Sequence, residues 1–109
     1  MSLELLGSQP LIVITTEGNH EKARNLAKSL LEMKLAACIG LNKINSIYWW
    51  QNKLIENSEV QLNIKTKYNL LDKLFDTVKE LHSYEVPEFI YFNPSSSNEY
   101  YRWINSIDN

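Results

Sequence analysis

Leu35 to Lys67 reads LAACIGLNKINSIYWWQNKLIENSEVQLNIKTK. This stretch predicts two long strands folded back on one another across Gln51-Asn52, since Asn tolerates the positive φ of a tight turn. The returning strand alternates, with Val60, Leu62 and Ile64 on one side and Gln61, Asn63 and Lys65 on the other. On the outgoing strand Ile39 and Leu41 share one phase, whereas Ile44, Ser46, Tyr48 and Trp50 take the other. That change of phase predicts a bulge or kink near Asn42-Lys43. Neighbouring side chains on a strand point to opposite faces, so Tyr48 and Trp50 line one face and Trp49 the other. The helices of a small domain cover one face of a hairpin. Large aromatics on both faces call for a second cover, and a further copy of the chain supplies it.

Length leads to the same place. A strand of about twelve residues spans roughly 40 Å, whereas a domain of this size has a diameter of roughly 35 Å. The hairpin is expected to overhang its own domain. An overhanging two-stranded ribbon is marginal alone and leaves open edges, which a closed ring of copies satisfies.

Working outward, Leu11 to Thr16 is continuous apolar and β-branched, as in a central strand. Gly18-Asn19 ends it, with Asn19 placed to cap a helix that carries Ala23, Leu26, Ala27, Leu30 and Leu31 at helical spacing and stops near Lys34. After the hairpin, Asn69 with Asp72 resembles a capping arrangement. Leu71, Leu74, Phe75, Val78 and Leu81 then continue as an amphipathic helix that Pro87 prevents from extending. Phe89 to Phe92 reads as a short aromatic strand ended by Pro94. Ser96 with Glu99 forms a capping box for a last helix whose stripe is Tyr100, Trp103, Ile104 and Ile107. The order is βαββαβ plus a C-terminal helix. It predicts an α+β, ferredoxin-like domain: an antiparallel four-stranded sheet, two helices on one face and a long protruding hairpin, assembled as a trimer. Residues 1–109 read as one domain, with 1–9 as a disordered tail.

Composition narrows the function. The chain has 109 residues, 44% of them hydrophobic and 22% charged, with a net charge of −2, so it reads as a globular protein with its own core. The charge gives no basic footprint for nucleic acid and no attraction to an anionic membrane. No apolar run reaches the roughly eighteen residues of a membrane span, and MSLELLGSQP has no basic-then-apolar signal pattern. One cysteine makes no internal disulfide, which suits a reducing cytoplasm.

Five segments, LLEMKLAACIG, SIYWW followed by KLI, EVQLNIKTK, HSYEVPE and EYYRWI, stand in an order and spacing that resemble the CutA family of divalent-cation tolerance proteins, from Leu11 to about Ile107. The resemblance implies a ferredoxin-like subunit in a tight homotrimer held by the long hairpins, similar in fold and assembly to PII signalling proteins. It also implies an association with copper and other divalent cations and a cytoplasmic role in metal tolerance that is regulatory or binding rather than enzymatic. The chain departs from the family where Asn52 replaces a turn Gly and Ser83 replaces a Pro. Thr15 and Leu81 also stand where some bacterial members carry an extra Cys and a second His.

Copper or zinc wants soft or nitrogen ligands converging from several elements. His82 and Cys38 are the candidates for Cu²⁺ or another divalent cation, with His20, Glu85 and Glu88 in reserve. No cation is needed for folding. Cys38 also fits a small buried strand residue, and His82 suits the end of a helix; neither histidine has a second ligand at i+3 or i+4. An inter-subunit cleft is the second candidate site. Tyr48, Trp50, Tyr84 and Trp103 are expected to line a pocket or an interface with Trp49, and Lys65 to meet a small anion or to pair with Glu59 or Glu88 across that interface. A partner protein bound by the trimer is the third reading. Catalytic signatures are absent: the three glycines, Gly7, Gly18 and Gly40, form no phosphate loop or nucleophile elbow. The internal strand VQLNIKTK carries no aromatic for stacking RNA bases.

Overall fold

The computed structural model describes residues 7–107. Strand β1 (Pro10–Glu17) leads to helix α1 (His20–Glu32), and the hairpin of β2 (Cys38–Trp50) and β3 (Lys53–Lys67) follows. A 3₁₀ turn (Tyr68–Leu70) enters α2 (Leu71–Leu81); a short β4 (Ile90–Phe92) and α3 (Asn98–Asn105) complete the chain. The sheet order is β2-β3-β1-β4, with every pairing antiparallel. This is the ferredoxin-like arrangement.

The core lies between the sheet and the two long helices. Ala23, Leu26, Ala27 and Leu30 of α1 and Leu74 and Val78 of α2 bury against Val13, Val60, Leu62 and Ile64. Val13 lies opposite Ile64, Leu41 opposite Leu62 and Ile39 opposite Ile64, so these side chains share the helix-covered face. The alternate positions, among them Ile12, Ile14, Cys38, Ile44, Tyr48, Trp50, Glu59 and Lys65, share the face that α1 and α2 leave open.

The ladder between β2 and β3 runs without a break from Cys38↔Lys65 to Trp50↔Lys53. The bulge expected near Asn42-Lys43 is therefore absent. The apolar pattern changes phase because the strand changes surroundings: its first half buries Ile39 and Leu41 under the helices, and its second half runs past them. Beyond Glu17↔Val60 no residue of β1 reaches β3. Seven cross-strand pairs, Ile44↔Glu59 through Trp50↔Lys53, form a ribbon attached to the domain at one end only. The molecule is accordingly elongated, 46 × 26 × 23 Å. Gln51 and Asn52 close the ribbon with φ of 50° and 63°, both in the left-handed region.

Two expected caps differ. Asn19 Oδ1 accepts from Lys22 N at 2.8 Å as expected. At α3, however, the cap is Ser97, whose hydroxyl accepts from Tyr100 N at 3.2 Å, one residue later than the Ser96–Glu99 box. Helix α2 has no side-chain cap, because the 3₁₀ turn already carries the chain into it and Asn69 lies within that turn. Of the residues expected to form a loose tail, 1–6 lie outside the described residues. Ser8 and Gln9 are tied down: Tyr68 N donates to the Gln9 carbonyl at 2.9 Å and Asn105 Nδ2 to the Ser8 carbonyl at 3.0 Å.

Candidate functional site

The loop from His82 to Phe89 crosses the end of β1 and builds the candidate site on the open face. Its anchor is Glu17, the last residue of β1, which is buried with His82 beside it. The Glu17 carboxylate accepts from Ser83 N at 3.0 Å, from the Ser83 hydroxyl, and from Gly18 N at 3.1 Å. Burial pushes this carboxyl up, but the donors of Ser83 and Gly18, with His82 nearby, outweigh it and hold the group below the ordinary glutamate value. His82 Nε2 bonds the Thr16 carbonyl, and its Nδ1 accepts from Tyr84 N at 2.9 Å. Both ring nitrogens of His82 are thus engaged by backbone groups.

The loop then places Tyr84 over the sheet, where its hydroxyl donates to Glu59 Oε2 at 2.6 Å. Burial, then this bond and then the Glu59 charge, push the Tyr84 hydroxyl well above the ordinary tyrosine range. Past Tyr84, Glu88 returns toward Glu59; burial and the Glu59 charge raise its carboxyl. Between the loop and the ribbon lies an open cavity of about 630 Å³ lined by Tyr48, Trp50, Glu59, Tyr84 and Glu88 together with Thr16, Ser46, Ile47, Val86 and Pro87. Asn57 Nδ2 steadies the Tyr48 hydroxyl at 3.2 Å.

Of the side chains singled out in the sequence, the structure gathers Tyr48, Trp50, Glu59, Tyr84 and Glu88. It separates the rest. Trp49 points to the other face of the ribbon and is 72% exposed. Trp103 packs with Tyr100 on α3, ring centroids 5.4 Å apart, away from the cavity. Lys65 lies six residues from Glu59 along β3, roughly 20 Å. Its ammonium stands 5.9 Å from the Tyr100 ring centroid and lines a separate recess of about 140 Å³. A Lys65–Glu59 or Lys65–Glu88 pair is therefore not made within one subunit. Glu17, Thr16, Ser46, Val86 and Pro87 gave no sequence signal, because their part in the site depends on the path of the loop.

The candidate metal ligands do not form a set within the subunit. Cys38 lies opposite Lys65, which lies opposite Ile12, whereas His82 bonds the carbonyl of Thr16. Four residues of β1, about 13 Å, separate those levels. Both ring nitrogens of His82 are already engaged, and Thr15 supplies only a buried hydroxyl that has no partner among the described residues. Among the described residues no three His, Cys, Asp or Glu side chains converge. These donors do not fit a copper centre built by one subunit. Among the described residues no helix is long and apolar enough to cross a membrane.

The profile of the CutA1 divalent ion tolerance protein family matches residues 11–107. The chain is 38% identical over 95 residues to the divalent-cation tolerance protein CutA of Pyrococcus horikoshii, covering 86% of this chain and 93% of that one. It is 40% identical over 96 residues to protein CutA 1, chloroplastic, of Oryza sativa subsp. japonica, where it spans about half of the relative (54%). The solved structure of the periplasmic divalent cation tolerance protein CutA from Archaeoglobus fulgidus superposes with a TM-score of 0.87 at 31% identity, covering 90% and 97% of the two chains. With identity of this order over nearly its whole described length, and the same fold, the chain belongs to the CutA1 divalent ion tolerance protein family.

Proposed function

We propose that the chain acts in divalent-cation tolerance as a homotrimer that binds rather than transforms its target. The match across residues 11–107 carries the tolerance role. The overhanging ribbon supports the assembly, because it presents Ile47, Trp49 and Leu54 on one face and Tyr48 and Trp50 on the other, all exposed in the single subunit. The binding role is supported by a preformed cavity of ligand-binding size. Any copper the protein takes would be held between subunits, since one subunit does not bring Cys38 and His82 together. A reducing compartment such as the cytoplasm suits the free thiol of Cys38.

The test is complementation. Cells lacking the gene, challenged with Cu²⁺ or Zn²⁺, should regain growth with the wild-type chain and not with a Trp49→Ala/Trp50→Ala chain that no longer assembles. Equal rescue by both would separate tolerance from assembly, and no rescue by either would remove the tolerance role.

A further inference from the structure

We draw no further inference here: the strongest candidate, the cleft of about 280 Å³ lined by Lys22, Asn25 and Ser29 of α1 with Glu17 and Ser83, carries none, since Ser83 and Gly18 already satisfy the Glu17 carboxylate and nothing in the structure shows what would fill it.

Discussion

Ser83 shows how one side chain holds the site. Its N–H and its hydroxyl both go to the buried Glu17 carboxylate, which ties the site loop to the end of β1. Proline at this position removes both donors, and alanine removes one. Ser83→Pro should destabilise the fold by about 1–3 kcal/mol, the cost of a buried acceptor left unsatisfied, and Ser83→Ala by less; urea midpoints check the order. The same carboxylate sets an acid limit. A glutamate whose folded value is depressed adds stability above its unfolded value, and that stability is lost as pH falls through the folded one. Stability should therefore decline from about pH 4.5 downward. Glu88, with its value raised, works the other way and relaxes in acid. In Ser83→Ala, where Glu17 has lost a donor, the acid decline should be shallower; identical acid slopes in urea titrations of both proteins would remove Glu17 as its source.

At the scale of elements the ribbon is the decisive unit. Its turn puts Gln51 and Asn52 both at positive φ, a demand that glycine meets without strain. Asn52→Gly should raise the unfolding midpoint by the equivalent of at most about 1–2 kcal/mol, the left-handed backbone penalty that Gly escapes and Asn bears in part; a lower midpoint would mean that the Asn52 side chain makes a contact worth more than its backbone strain. Trp50 is 51% exposed in the subunit, so the loss of about 3–5 kcal/mol that truncating a buried Trp brings should appear only where copies meet. Trp50→Ala should lower the concentration-dependent part of the melting temperature and leave the dilute-limit value nearly unchanged; a loss independent of concentration would show that Trp50 is buried within its own subunit. The ribbon was readable from sequence in length, turn position and aromatic faces, because period-2 patterning survives wherever one side is covered. The imagined bulge was not a feature of the backbone. Alternation reports which face is covered, and here the cover ends halfway along an unbroken strand. The caps at Asn69 and Ser96 misled for a smaller reason: Ser96 and Ser97 are adjacent and both competent, and a 3₁₀ turn removes the need for a side-chain cap.

For the whole molecule, the element order was enough to specify the sheet order β2-β3-β1-β4, since two helix crossovers and one hairpin leave few ferredoxin-like alternatives. The site was legible in part. Tyr48, Trp50, Glu59, Tyr84 and Glu88 line one cavity of the single subunit and His82 lies beside Tyr84, but Lys65, Trp103, Trp49 and Cys38 stand elsewhere, because the path of the loop across β1 is a tertiary fact with no local periodicity. The sign of the cleft changed with it: with Lys65 roughly 20 Å from Glu59 along β3, the cavity is acidic. What unites these scales is a subunit that folds its core between helices and sheet and leaves a two-faced aromatic ribbon uncovered. Native mass spectrometry of the wild-type chain at micromolar concentration tests this most directly. A species of three copies is expected, with Trp emission shifted to the blue relative to the diluted or Trp50→Ala protein. A stable single subunit with solvent-exposed indole emission would contradict it.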